Sequence, residues 1–306
     1  MIRWPALGFG IQHRTLATRL VFWFSVLLLV PMLIISVAID RVSNRALQED
    51  VLEKLGMVAR DKASSLEILA YDRTRSAAMI GRIGRIGTAA TLLANPKTPE
   101  KDRNEQVEVM GRLTSLYASH LGFLDVIVVC PKGNVLYQSS NRFDLGSSLV
   151  NGPLRDSPLG QLVKRSLTLL EPDISDFDIY PGSELPQGFV SAPIIQEDGT
   201  KAGLVILQID DKEILDILTN YTGLGRTGNV IVGALKGEVI HVIAPIRGRP
   251  DAAFKVNVGV GAPHGSDIQK AVIGNLGGGR VRSVLKTDVL ASWIYVPSFR
   301  WGIAIE

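Results

Sequence analysis

From Leu20 to Ile39 the chain reads LVFWFSVLLLVPMLIISVAI, twenty residues without a charge, and no other segment limits its folding so strictly. An α-helix rises 1.5 Å per residue, so about twenty apolar residues match the roughly 30 Å hydrocarbon layer of a bilayer. Residues 20–39 are therefore expected to form a transmembrane helix. Pro31 would break a helix in water but is tolerated in a membrane span, where neighbouring groups re-satisfy the freed carbonyl. Arg3, Arg14 and Arg19 precede the stretch with no acidic residue, whereas Asp40, Arg41, Arg45, Glu49 and Asp50 follow it. The positive-inside rule then places residues 1–19 in the cytoplasm and everything after residue 39 outside. A cleavable leader is the competing reading, since Ser36-Val37-Ala38 has a small-x-small pattern. A secretory apolar core is about 7–15 residues, and the longer run here favours an uncleaved anchor.

Residues 40–306 are enough for one large or two small domains. The net charge of +3 comes without any Lys/Arg run, so no nucleic-acid partner is expected. Cys130 is the sole cysteine, which excludes an internal disulfide and a multi-cysteine zinc cluster. It ends the apolar run LDVIVVC and reads as a packed thiol in a buried strand.

Catalytic chemistry finds no candidate. Gly223-Leu224-Gly225-Arg226-Thr227-Gly228 fits G-x-G-x-x-G, but it leaves a helical pattern and opens a strand. A dinucleotide loop does the reverse, so that helix N-terminal amides meet the pyrophosphate. Gly277-Gly278-Gly279 reads as a flexible turn, and Ser266 in His264-Gly265-Ser266-Asp267 as the N-cap of a following helix, since no nucleophile elbow is present. His120 and His241 have no partners at metal-ligand spacing. No catalytic residue, metal site or cofactor is expected, and the chain is not read as an enzyme.

The texture beyond residue 40 is α+β. Apolar residues at helical spacing (Leu47, Val51, Leu55, Val58, Ala59, Leu66, Leu69, Ala70, Ala77, Ile80) predict a long amphipathic helix over about 42–93, weakened by Gly81, Gly84 and Gly87. A second helix follows at about 100–120, after Pro99. Short apolar runs then alternate with turns: a hairpin of Phe123–Val129 and Val135–Ser139, a helix at 158–169, and strands at 174–179, 188–195 and 202–210. After a helix at 212–221 the same plan returns: a hairpin at 229–235 and 239–243, a helix at 266–273, and strands at 280–285, 289–296 and 301–305. The expected organisation is a stalk over 40–120, a membrane-distal PAS-like module over 121–215 and a membrane-proximal one over 216–306, each with an antiparallel sheet.

Four stretches give this order a family likeness: FLDVIVVCPKGNVLYQSS; Phe189 to Ile194 followed by GLVILQID; Leu224-Gly225-Arg226-Thr227-Gly228; and Val289 to Trp293 with Phe299-Arg300-Trp301-Gly302. Together they resemble the double Cache, or tandem PAS-like, sensor domain of bacterial receptors such as sensor histidine kinases, nucleotide cyclases and chemoreceptors. The resemblance implies signal transduction: a small-molecule ligand in the distal module, location in the bacterial inner membrane with the bulk of the chain periplasmic or extracellular, and a homodimer through the long helix. It also implies a second membrane helix and a cytoplasmic output beyond Glu306. A membrane-anchored binding or scaffold protein without output is the alternative. The Arg-x-Trp-Tyr element of amino-acid-binding members is absent. Tyr137, Ser139, Arg142, Asp176, Tyr180 and Ser191 stand at the places from which such pockets draw ligand-binding residues.

Overall fold

The computed structural model describes residues 16–140, 142–181, 183 and 186–306. The expectation of a cytoplasmic segment thus lies, for residues 1–15, outside the described residues. Two compact units divide the chain, residues 1–51 and residues 52–306, and helix α1 (Leu16–Gly81) contributes to both.

In the first unit α1 contains Pro31 and is long and apolar enough to cross a membrane, with none of its most apolar window buried. In the second unit it buries Leu55, Ala59, Ala63, Leu66, Ala70, Ala77 and Ile80, the helical stripe that its sequence encodes. The helix stops at Gly81, and α2 (Gly84–Ala94) and α3 (Glu100–His120) follow. The long helix expected to reach residue 93 is therefore two helices. Packing supplies the reason: a Cβ at Gly81 would lie 2.5 Å from the carbonyl oxygen of Pro193, so the helix end rests directly on backbone.

The first sheet contains β1 (Phe123–Val129), β2 (Val135–Gln138), β3 (Asp173–Ile174), β4 (Phe189–Ile195) and β5 (Lys201–Ile209), ordered β2-β1-β5-β4-β3 and antiparallel throughout. Helix α4 (Pro158–Leu169) covers one face, where Ile127, Val129, Phe189, Leu204 and Ile206 meet Leu159, Leu162 and Val163. Side chains alternate along a strand, so Val128 and its cross-strand partner Tyr137 turn to the opposite face. Helix α3 packs there.

After α5 (Asp211–Thr219) the second sheet repeats the pattern. It contains β6 (Val230–Lys236), β7 (Val239–Val242), β8 (Asn257–Gly259), β9 (Gly277–Arg282), β10 (Asp288–Val296) and β11 (Trp301–Ile305), ordered β8-β7-β6-β11-β10-β9, with α6 (Ser266–Val272) on one face. Without β8 this is the order of the first sheet again. The α+β, tandem PAS-like architecture is as expected.

Three local readings are corrected. Gly277–Gly279 open β9 instead of forming a turn, because they pair with β10 beneath Trp293, whose ring would lie 3.1 Å from a Cβ at Gly277. The third strand shrinks to Asp173–Ile174, the residues of this segment that pair with β4 as a strand. Ser266 is not the N-cap of α6: Gly265 takes that place at φ 66°, a left-handed conformation that glycine adopts without strain.

Two polar clamps, one from the buried Lys62 and one from the half-buried Glu67, tie α1 to the rest of its unit. Lys62 Nζ donates to the carbonyls of Ile217 (2.6 Å) and Asn220 (2.7 Å), satisfying the end of α5. Glu67 accepts from the amide (3.0 Å) and hydroxyl (2.5 Å) of Ser298, between β10 and β11. Replacing Lys62 by alanine is expected to destabilise this unit by about 1–3 kcal/mol, the usual cost of unsatisfied buried carbonyls; chemical denaturation followed by circular dichroism measures it.

Candidate functional site

On the α4 face of the first sheet the apolar floor gives way to polar side chains at one end. Register makes the row: Asp125 stands opposite Gln208, and Gln208 opposite Phe189. Gln138, paired with Ile127, shares this face. Asp125, Gln138, Gln187 and Gln208 are all buried.

Each of these groups has a defined partner. The Asp125 carboxylate accepts from the hydroxyls of Ser139 and Ser140 (2.5 Å for Ser140) and from the Val126 amide at 2.8 Å. Gln138 Oε1 accepts from the amides of Arg142 (3.1 Å) and Phe143 (2.8 Å), which folds the chain after β2 back over the sheet. Arg142 Nη1 then donates to Gln187 Oε1 at 2.5 Å and to Gln208 Oε1 at 3.3 Å. Among the described residues no carboxylate pairs with Arg142. Neutral amide oxygens hold and aim its guanidinium without cancelling its charge, which suits a planar anion such as a carboxylate.

The six residues singled out in the sequence have different surroundings. Ser139 and Arg142 belong to this cluster. Tyr137 is on the other face, its hydroxyl 3.4 Å from Thr114 Oγ1 of α3. Ser191 bonds Ser166 of α4 at 2.6 Å within the core. Tyr180 is buried edge-on to Phe189, and its hydroxyl accepts from the Leu159 amide at 3.0 Å. Desolvation there pushes its phenol pKa up.

Asp176 lies apart, in a groove of about 300 Å³ lined by Arg165, Asp178, Lys236 and Arg300. Burial raises its pKa, opposed by Arg300, Lys236 and Arg165. This groove is the seam between the two sheets. Asp173 accepts from Arg165 of α4 (2.7 Å) and from Arg300 of the β10–β11 turn (2.9 Å), while Asp178 pairs with Lys236 of β6 at 3.3 Å. Gln187 reaches the same seam through its backbone, exchanging hydrogen bonds of 2.8 and 3.2 Å with Asp178. Arg142, Gln187, Asp178 and Lys236 thus form one continuous chain of contacts from the cluster to the second sheet.

Asp125, Gln138, Gln187 and Gln208 were not singled out in the sequence. The signal for Gln208 is in GLVILQID: the period-two set Leu204, Ile206, Gln208 puts a polar group on the buried face. A buried amide needs partners, so it marks a polar cluster. Asp125 in FLDVIVV gives the same sign.

No protein-family model and no curated protein matches the sequence. Among solved structures, the chain is similar to the sensor domain of the Vibrio cholerae histidine kinase DctB, with a TM-score of 0.57 at 13% identity, covering 86% of this chain and 97% of that one. It is also similar to the ligand-binding domain of the Campylobacter jejuni chemoreceptor Tlp3 in complex with 4-methylisoleucine (TM-score 0.55, 12% identity, 85% and 92% covered). A third is the ligand-binding domain of the Pseudomonas aeruginosa amino-acid chemoreceptor PctB in complex with L-Arg (TM-score 0.53, 14% identity, 84% and 94% covered). The shared feature is the fold, two antiparallel sheets with covering helices.

Proposed function

We propose that this chain is the sensor region of a transmembrane receptor, which binds a small carboxylate-bearing molecule outside the cytoplasmic membrane and relays its binding toward a cytoplasmic output. The observation that carries this reading is Arg142, a guanidinium aimed by Gln187 and Gln208 at the polar end of the α4 face. The fold supports it, since its structural neighbours are sensor and ligand-binding domains of receptors. In this reading the first sheet with α4 is the ligand-binding module, and Ser139, Asp125 and Arg142 line its site. Ligand bound to Arg142 tightens Gln187, and the Asp178–Lys236 pair passes the change to the second sheet. Residues 20–39 of α1 span the membrane.

The reading includes a homodimer. Met57, Ile68 and Met79 are exposed on α1 at intervals of eleven residues, with Tyr71 beside them. Eleven residues make three helical turns, so these side chains form one apolar line. Ile68→Glu is expected to convert a dimer of the full chain in detergent into a monomer by light scattering. A wild-type monomer would remove this part of the reading.

A thermal-shift screen of the full chain in detergent against mono- and dicarboxylic acids, amino acids, amines and nucleobases tests the ligand class. Stabilisation by carboxylates and none by simple amines is expected; a set of hits without a carboxylate would contradict it.

A further inference from the structure

The proximal sheet holds a second polar cluster, unconnected with Arg142. Antiparallel pairing brings Asn229 and Glu306 opposite each other, the amide of each donating to the carbonyl of the other at 2.9 Å. On this side of β11, a Cβ at Gly302 would meet Ala271 of α6 at 2.7 Å. Gly302, Ala304 and Glu306 share one face by the two-residue period, so Glu306 points beneath the first turn of α6. Asp267 belongs to that turn and is fully buried, and Glu306 and Ser283 are buried beside it.

Asp267 Oδ1, Asp267 Oδ2 and Glu306 Oε1 are buried without a hydrogen-bond partner among the described residues, and the backbone amides of Asp267 and Ile268 lie close enough to favour the Asp267 carboxylate without closing a hydrogen bond to it. A proton held between the carboxyls would supply one. The charged groups acting here are few. Lys270 of α6 attracts Asp267 from a distance, with its Nζ 4.7 Å from the Trp293 ring centroid, and Ser283 offers its hydroxyl to Glu306. The described residues contain no cluster of three or more His, Cys, Asp or Glu side chains that could hold a metal ion. Two like charges in a desolvated site repel each other, and one proton removes both that repulsion and the orphaned lone pairs.

We propose that Asp267 and Glu306 share a proton and act as a pH-sensitive latch, which holds α6 on the end of β11 while protonated and releases it when the proton leaves. Burial, reinforced by Asp267, pushes the Glu306 pKa up to about 8. The sign follows. Folded protein holds a proton that unfolded chain, with an ordinary glutamate, has already lost above about pH 4.5. Latch stability is therefore full at low pH, declines as pH rises above about 4.5, and is exhausted near pH 8. The binding of one extra proton changes the unfolding constant by about tenfold per pH unit inside that window. This device acts independently of ligand capture by Arg142.

The test compares the full chain in detergent with Glu306→Gln, whose amide supplies the donor at every pH, and with Asp267→Asn. Wild type is expected to lose stability relative to Glu306→Gln by up to about tenfold per pH unit between pH 5 and 8, whereas Asp267→Asn, which leaves Glu306 buried but removes the neighbouring charge, is expected to keep part of that slope over a narrower pH range. Infrared difference spectra are expected to show a protonated-carboxyl band that fades as pH rises through 8 and is missing from Glu306→Gln. Parallel pH profiles with no such band would overturn the proposal. So would wild-type stability that rises with added calcium or magnesium and falls with chelator, which would assign the cluster to a cation. If one variant fails to fold, the infrared titration of wild type still decides between these outcomes.

Discussion

Replacing Trp301 by alanine is expected to destabilise the second unit by about 3–5 kcal/mol, the range for truncating a buried aromatic side chain. Trp301 is only 1% exposed, stacks on Phe299 with centroids 4.5 Å apart, and meets Phe177 edge-on at 5.4 Å. Phe177 follows β3 of the first sheet, whereas Trp301 opens β11 of the second, so the contact joins the two modules. Its position places the loss at the upper end of the range. A cavity of about 200 Å³, lined by Phe177, Ile214, Leu218, Ile243 and Pro245, already adjoins the ring, and alanine would enlarge it. The cost of truncation grows with the volume left empty. Trp301→Phe is expected to cost less, because it keeps most of the apolar contact and gives up only the indole N–H that favours the buried Asp176 carboxylate. Denaturant unfolding followed by tyrosine fluorescence and circular dichroism measures both. A Trp301→Ala variant within 1 kcal/mol of wild type would show that the junction is not packed as described.

Replacing Arg142 by alanine is expected to weaken carboxylate binding by about 30- to 150-fold, which corresponds to about 2–3 kcal/mol for a lost charge-assisted contact in a partly buried site. The fold itself should survive the change, at a cost of about 1–2 kcal/mol for the buried Gln187 and Gln208 oxygens that lose their donor. Arg142 is half-buried, and its side chain contributes hydrogen bonds to Gln187 and Gln208. Arg142→Lys separates charge from shape: lysine keeps the positive charge but not the planar fork that holds two acceptors at once, so it is expected to recover only part of the affinity. If alanine leaves affinity intact while lowering stability, Arg142 is a structural strap across the loop after β2.

The plan of the fold was legible in the sequence because apolar runs and turn residues mark most strands independently of what packs on them. FLDVIVV, FVSAPII and LVILQI are such runs, and each became a strand. What could not be read depends on close approach between distant segments. Nothing local in Gly277-Gly278-Gly279 announces that Trp293 needs bare backbone beside it, and nothing near Gly81 announces Pro193. The candidate site was only partly legible for a related reason. Tyr137 and Gln138 are neighbours in sequence but face opposite sides of the sheet, and only the register with β1 decides which side is the α4 face. Ser139 could be named from its place at the end of the hairpin's second strand and Arg142 from its place after it. Gln187 could not, because it enters the cluster from a segment with no strand signal, held by its bridge to Asp178. The Asp267–Glu306 pair joins two residues 39 positions apart, and only the docking of α6 on β11 brings them together.

Isothermal titration calorimetry tests directly whether Arg142 anchors an anionic ligand. The full chain in detergent would be titrated with the most stabilising carboxylate from the thermal-shift screen, in parallel with Arg142→Ala and with Tyr137→Phe, whose side chain lies on the opposite face of the sheet. Saturable binding to wild type and Tyr137→Phe, lost or weakened at least about 30-fold in a folded Arg142→Ala, is the expected result. Equal affinity in wild type and Arg142→Ala, or binding lost in Tyr137→Phe and kept in Arg142→Ala, would contradict it.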